Sequence, residues 1–389
     1  MWRHVASNGI SLLIVLGVLA AGIIAWGKAR YEAAGPLEAA ICVKVESGSS
    51  MRKVSEQLKE RGALKEAWLF RLGADYSGRA DALKAGSFLV TERASMREIV
   101  DEITGRGQST CGTEVVFRIG VNATGMQVRE LDPASNRFVE VAAFDPSAER
   151  VEIPAEYTKV RGEADTRYRV ALAEGATSWQ VVEALKSADF LEGNVAEVPA
   201  EGMLAPDSYE VVPGADRAEL LARMETAQAA RLANAWANRD EGLPVKTPEE
   251  ALVLASLIEK ETGVAAERGK VASVFVNRLI QGMKLQTDPA VIYGVTGGRG
   301  VLGRGLRQSE LQRDTPYNTY VNAGLPPGPI ANPGLAAIEA ALHPESTDYL
   351  YFVADGTGGH AFARTLAEHN ENVAKWRAIE AQQGASGGN

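Results

Sequence analysis

Hydrophobic and polar positions change their rhythm several times along the chain, and each rhythm predicts a different kind of element. The first is unbroken: after MWRHVASNG, residues Ile10 to Trp26 read ISLLIVLGVLAAGIIAW without a charge, close to the length a helix needs to cross a bilayer. A cleaved leader would have a shorter apolar core followed by a small-x-small site, whereas this run passes straight into GKARYE. The pattern therefore predicts a retained single-pass anchor over residues 10–27, preceded by a tail of residues 1–9. Arg3 lies on one side of it and Lys28 and Arg30 on the other, a balance of charge that leaves the orientation open.

After the anchor one pattern occurs three times. VKVESGSSMRKVSEQL (Val43 to Leu58), FLVTERASMREIVDEI (Phe88 to Ile103) and VALAEGATSWQVVEAL (Val170 to Leu185) each run from an alternating strand through a polar turn into a segment with apolar residues three and four apart. Ser95 with Glu98, and Thr177 with Gln180, have the spacing of capping boxes and mark two helix starts. Such units predict a compact α+β module over residues 40–107. Between the second and third copies, TEVVFRIGVNATG, RFVEVAAFD and RVEIP alternate strictly and are separated by the turn clusters DPASN and DPSAE. This predicts a β-rich insertion over 108–166 with its own antiparallel sheet. Residues 167–382 then read as a larger α+β region, with an alanine-rich helix from Leu220 to Arg239, a loop and new helix start at GLPVKTPEE, and a last helix from Leu366 to Gln382. The glycine-rich 383–389 tail is expected to be disordered.

Composition narrows the class of protein. A chain of 389 residues has room for two or three domains, and 46% hydrophobic with 23% charged residues excludes a disordered chain. A net charge of -9 and a pI near 5.3 argue against nucleic acid as a partner, which would call for a clustered basic excess. Cys42 and Cys111 are too few for a disulfide framework and lack zinc spacing. A single bridge between them in an exported body, and two separate buried thiols, both fit the sequence.

Candidate chemistry starts at LIEKETG, Leu257 to Gly263. Thr247 is placed to cap the helix before it, with Pro248 at the first helical position, Glu250 three residues after the cap, and Gly263 as its stop. On a wheel of about 100° per residue, apolar side chains cover nearly all of Ala251 to Thr262, leaving a polar sector of Ser256 and Lys260 with Glu259 at its edge. Glu261 follows Leu257 by four and Leu254 by seven, inside the apolar sector. Burial and the negative end of the helix dipole both raise its pKa, as a general acid requires, while Glu259 beside Lys260 is expected to ionise normally. The plainer reading is a last-turn glutamate exposed as the helix frays.

Downstream, a second helix carries Val271, Val274, Phe275 and Leu279 on its buried stripe, and Asp288 with Pro289 reads as the start of a short helix. TPYNTYVNAGLPPGPIANPG supplies aromatic, amide and hydroxyl groups suited to a sugar, although turn chemistry alone also explains such a loop. His343, His360 and His369 share no metal-ligand spacing, so no metal or cofactor is expected. GVTGGRGVLGRG and GTGGH match neither a phosphate loop nor a dinucleotide fingerprint and read as cleft-edge loops.

LASLIEKETGVAAERGKVASVFVNRLIQGMKLQTDPAVIYG, with TPYNTYVNAGLPPGPIANPG and HPESTDYLYFVADGTGGHAFARTLAEHN after it, resembles the MltG (YceG-like) family of endolytic murein transglycosylases. The resemblance is close from Thr247 to Asn370. It is weaker from Cys42 to Gly107 and from Tyr168 to Val212, where GMLAPDSYEV is similar to the family's proline-aspartate segment. It implies an inner-membrane protein with a short cytoplasmic tail, a LysM-like module, and a lysozyme-like catalytic region facing the periplasm. The expected substrate is peptidoglycan glycan, cut between N-acetylmuramic acid and N-acetylglucosamine to leave 1,6-anhydro ends and to stop nascent strands growing, alongside peptidoglycan synthases. In the family's EKE motif the second glutamate is catalytic, which corresponds to Glu261 here. Glu267 is a candidate second carboxylate that reads equally as a helix-start residue. Asn277, Gln286 and Asp288 are candidates for positioning the sugar, and Tyr317, Asn318 and Thr319 for the cleft wall. The 113–164 strands are a departure from shorter family members. A lysozyme-type hydrolase with a second acid, and a non-catalytic glycan-binding scaffold tethered to the membrane, are the rival readings.

Overall fold

The uncharged run at the amino end lies within one long helix, α1 (Trp2–Glu32), which extends beyond the apolar stretch at both ends and includes most of the expected tail. The computed structural model describes residues 2–105, 109–163 and 165–386, with side chains described from 14 to 382. Within α1 the segment Ile14–Glu32 is long and apolar enough to cross a membrane, and none of it is buried by protein.

The chain divides into two compact units, one built from Met1–Val116, Gln127–Phe144 and Glu152–Tyr168, the other from Phe117–Met126, Asp145–Val151 and Arg169–Asn389. In the first, α1 is followed by β1 (Ile41–Val45), α2 (Met51–Glu60), α3 (Ala67–Tyr76), β2 (Gly86–Val90) and α4 (Met96–Thr104). β1 and β2 pair antiparallel, with Val43 opposite Phe88, so the first two copies of the repeat meet strand to strand. α4 starts where its cap predicts, with Ser95 and Glu98 forming both halves of a capping box, and at the start of α2 Ser50 accepts from the Lys53 amide. Val43, Val54, Leu58, Phe70, Phe88, Ile99 and Ile103 close the core between strands and helices. Cys42 on β1 and Cys111 are joined as a disulfide.

The alternating region folds as β3 (Thr113–Ile119), β4 (Thr124–Asp132) and β5 (Arg137–Phe144), but RVEIP is not a strand. Pro154 has no amide hydrogen for a ladder and instead precedes α5 (Ala155–Val160). Nor is the sheet confined to the insertion, because β6 (Arg167–Leu172), α6 (Ser178–Lys186), β7 (Leu191–Glu192) and β8 (Ser208–Val211) follow, and the five-stranded order is β5-β4-β3-β6-β8. The third repeat thus forms its strand and helix, with the Thr177–Gln180 capping box complete, while its strand joins a different sheet from the first two.

The second unit continues with β9 (Ala215–Asp216), which pairs parallel with β7, and then α7 (Arg217–Ala237), α8 (Pro248–Glu261), α9 (Arg268–Ile280), α10 (Asp288–Thr296), α11 (Gln308–Leu311) and α12 (Leu335–Leu342). A hairpin of β10 (Tyr351–Ala354) and β11 (His360–Ala363) precedes α13 (Leu366–Ser386). Residues 383–386, expected in the disordered tail, continue α13, and 387–389 lie outside the described residues. α8 is the hub of this unit. Every residue from Ala251 to Ile258 is buried, among α7, α9, α10 and α12. Each fully buried leucine or isoleucine contributes roughly 1.5–3 kcal/mol, so the position and rotation of this helix are strongly determined.

The disulfide closes a loop of sequence separation 69, for which lost unfolded-chain entropy corresponds to about 4 kcal/mol. Reduction is expected to weaken hydrogen-exchange protection across β1 and α2, and a Cys42→Ala/Cys111→Ala variant to be equally weak and indifferent to reductant. Protection unchanged by reduction would show that the bridge adds no stability.

Candidate functional site

The site is built outward from the end of α8. Thr247 accepts from the Glu250 amide at 3.2 Å and Pro248 opens the helix, as the sequence predicts. The helix ends by a different device. Thr262, at φ -141° and ψ 129°, turns the chain into an extended conformation before Gly263 is reached, and its hydroxyl accepts from the Val264 amide at 3.0 Å. Glu261, the last helical residue, is thereby held where two cavities meet it. One, of about 310 Å³, is lined by Glu261, Thr262, Gly263, Ala354, the glycines of the β10–β11 turn, His360 and Trp376. The other, of about 430 Å³, is lined by Glu261, Arg278, Leu285, Gln286, Asp288, Tyr320 and residues of β10 and α13.

Burial, followed by the neighbouring charge of Asp288, pushes the Glu261 carboxyl up to about 7 against the opposing influence of Thr287, His360 and Arg278. The Thr287 hydroxyl that acts on this carboxyl is itself buried, with no other hydrogen-bond partner among the described residues. Glu259 does not ionise normally, contrary to expectation. Burial raises its pKa too, because the polar edge of α8 is covered: the Glu259 carboxylate accepts from the Gly334 amide at 3.0 Å, and Lys260 donates to the Gly175 carbonyl at 3.3 Å. Ser256 completes that face by accepting from the Ile330 amide at 3.0 Å. Glu259 lines neither of the two cavities.

Of the other candidates, the structure brings Gln286 and Asp288 to Glu261. Gln286 has a φ of +51°, unusual for a residue with a side chain, and its amide donates to the Thr319 carbonyl at 3.2 Å. Asp288 is the first residue of α10 instead of its cap, and it accepts from the Tyr320 hydroxyl at 2.6 Å. The remaining candidates hold the walls from behind. Glu267 accepts from the His360 amide at 3.0 Å and pairs with His360 Nδ1 at 2.8 Å. A Cβ on Gly359 would lie 2.6 Å from its carboxylate, so any larger residue there would push the carboxylate from this position. Asn277 donates to the carbonyls of Thr347 and Tyr349 at 2.8 and 3.0 Å. Fully buried Asn318 donates to the carbonyls of Glu310, Leu311 and Arg313, and Thr319 accepts from the Thr287 amide at 3.0 Å. Tyr317 packs on Tyr293 with ring centroids 4.9 Å apart. None of Tyr317, Asn318 and Thr319 lines either cavity, because the loop turns these side chains into the protein and leaves Tyr320 on the wall.

Sequence reasoning missed Arg278, Tyr320, His360 and His369. Arg278 lies in the apolar stretch VNRLI, where a buried cation was the available signal. Its guanidinium donates to the carbonyls of Leu350 and Leu285, each at 2.6 Å, and sits over the Tyr351 ring. Metal-ligand spacing, the one pattern in which His360 takes part along the chain, says nothing about a histidine held by a carboxylate.

The YceG-like family model matches residues 43–135 and 143–375. The chain is 29% identical over 360 residues to the endolytic murein transglycosylase of Bacillus subtilis (strain 168), covering 91% of this chain and 90% of that protein. It is 28% identical over 384 residues to the endolytic murein transglycosylase of Streptococcus pneumoniae serotype 2, covering 96% of this chain and 65% of that longer protein. A 2.6 Å crystal structure of a putative yceG-like protein, lmo1499, from Listeria monocytogenes aligns with 85% of this chain and 98% of its own at 24% identity and a TM-score of 0.46.

Because the folded pKa of Glu261 is raised from 4.5 to about 7, its contribution to stability is fully present below 4.5 and lost as the pH rises through 7. Glu261→Gln should match the wild type near pH 4.5 and become about 2 kcal/mol more stable above pH 7, after allowing for its partial exposure. Urea unfolding across that range checks this, and parallel curves would overturn it. Asn318→Ala removes a fully buried amide whose two hydrogens are shared among the carbonyls of Glu310, Leu311 and Arg313. It should lower stability by about 2–4 kcal/mol, whereas a sugar-contacting side chain would leave stability unchanged and weaken substrate binding.

Proposed function

The chain belongs to the YceG-like family, and from that membership and the surroundings of Glu261 we propose that it is an endolytic lytic transglycosylase of peptidoglycan with Glu261 as its acid and base. The observation that carries this reading is a carboxyl raised to about 7 at the meeting of two cavities. A proton donor with a pKa near the working pH can both give and take back a proton. A glycan lying across both cavities would present an internal bond to it.

In the proposed reaction, protonated Glu261 donates to the oxygen linking N-acetylmuramic acid to N-acetylglucosamine, and the bond from that oxygen to C1 of the muramic acid breaks. The C6 hydroxyl of the same muramic acid attacks C1 from within. Its proton passes to the Glu261 carboxylate, which restores the acid and closes the 1,6-anhydro ring. No water is consumed. Arg278 and His360 favour the carboxylate in the interval, while Asp288 favours the acid. Glycosidases that use water need a second carboxylate as base or nucleophile, and here the candidates are occupied, Glu267 with His360 and Asp288 with Tyr320.

The wider setting is part of the same reading. The apolar span of α1 supports an inner-membrane anchor, and a disulfide supports a body in an oxidising periplasm, working on nascent strands beside the synthases. The order β1-α2-α3-β2 supports a LysM-like module, and the helices packed around α8 a lysozyme-like catalytic region.

The test is mass spectrometry of muropeptides after the full chain in detergent is incubated with purified sacculi, beside Glu261→Gln. Anhydro-muramyl products should form with the wild type and fall by about 10²-fold or more in the variant. Reducing-end products would favour a hydrolase, and binding without product from either protein would favour a scaffold. The rate should decline as pH rises through about 7, since the protonated form is the donor. Asp288→Asn removes a charge that raises the Glu261 pKa, so it should move this decline to lower pH. A decline left in place would remove Asp288 from the account.

A further inference from the structure

Helix α3 has two faces of unlike character. Leu69, Phe70 and Ala74 are buried in the core of the first unit, while Trp68, Leu72 and Tyr76 are 51%, 55% and 93% exposed. Residues four apart share a face of a helix, so these three form one continuous row. Single exposed apolar residues are ordinary on a protein surface, but a Trp-Leu-Tyr row along one helix is not scattered.

What lies beside the row is the end of the membrane-crossing helix. Leu69 Cδ1 is 3.8 Å from where a Cβ on Gly27 would sit, and the Tyr31 ring fills the space over Gly73, where a Cβ would lie 2.2 Å from a ring carbon. Arg30 pairs with Glu66 at 3.4 Å. α3 is thus fastened to residues 27–31, directly after the apolar run ends at Trp26. Those five residues cover about 7 Å along the axis, roughly the depth of one headgroup layer outside a hydrocarbon core of about 30 Å. Tryptophan and tyrosine favour that layer, where an apolar ring and a polar edge are both satisfied. Lys65, exposed one turn before Trp68, adds a cation for lipid phosphate, and Asp75 is the one acidic residue in α3.

We propose that the Trp68, Leu72 and Tyr76 face of α3 docks on the phospholipid surface from which α1 emerges, so that the first unit is held to the bilayer by an amphipathic helix as well as by the anchor. The proposal rests on the reading of α1 as a membrane span.

The experiment uses the full chain in nanodiscs of phosphatidylethanolamine and phosphatidylglycerol, with photoreactive p-benzoylphenylalanine in place of Leu72 or of Tyr76. The same residue replaces Ile24 within the span and exposed Val139 on β5 as controls, and intact mass reads the adducts after irradiation. Lipid adducts at 72, 76 and 24, several-fold above those at 139, are expected. Lipid at 24 with none at 72 and 76 would overturn the docking face and leave the anchor standing. Absence of lipid at 24 as well would remove the anchor and the proposal together. A protein adduct at 72 or 76, or equal lipid labelling at 139, would also overturn it.

Discussion

The arrangement depends on one constraint, the burial of a carboxyl at the end of a helix that is itself buried. α8 is covered along its length by α7, α9, α10 and α12, so the position of its last residue is set mainly by the hydrophobic packing of the turns before it. Charge is disfavoured there, and the proton affinity of Glu261 rises toward neutrality as a result. The surrounding groups modulate that value from opposite sides. Asp288 opposes ionisation, and Arg278 and His360 assist it, so a small change in substrate position can favour either protonation state.

Around this centre the polar residues form a supporting layer whose work is mainly on backbone. Thr319 is hydrogen-bonded to the backbone of both Gln286 and Thr287, which holds Gln286 in its left-handed conformation at the cavity wall. A strained residue persists when its surroundings determine it more strongly than its own preference does. Asn318 gathers three carbonyls at and just after the end of α11, Asn277 anchors the chain entering β10, and Glu267 holds the start of β11 together with His360. The cavity walls are loops and a short hairpin, tied down by buried Asn318 and by the half-buried side chains of Asn277 and Glu267.

This layering explains which parts could be read from the chain. Elements with a strong period or an explicit cap, such as α2, α4, α6 and α8, follow from local physics, and both expected capping boxes are formed. Glu261 was legible because its place on a helical wheel depends only on the helix. The loop residues were not, because the direction of a side chain in an irregular segment is decided by contacts distant in sequence. Asn318 and Tyr320 stand two residues apart in the same loop, yet one is fully buried beneath it and the other faces the cavity. RVEIP failed for a local reason that was visible, the proline at its end. The union of β3 with β6 and β8 failed for a non-local one, since nothing in alternation says which strands will be neighbours.

The two glutamates of α8 show that a raised pKa does not by itself assign a role. Burial raises both Glu259 and Glu261, and a reading based on proton affinity alone would leave either as the acid. Access separates them. Glu259 faces the Gly334 amide and the neighbouring charge of Glu174, so its proton affinity belongs to a packed interior. Glu261 owes its shift to the same physics but opens onto both cavities, where a substrate oxygen can approach it. A general acid needs a proton held near neutral pH and a route for an acceptor to reach it, and of this pair only Glu261 has both.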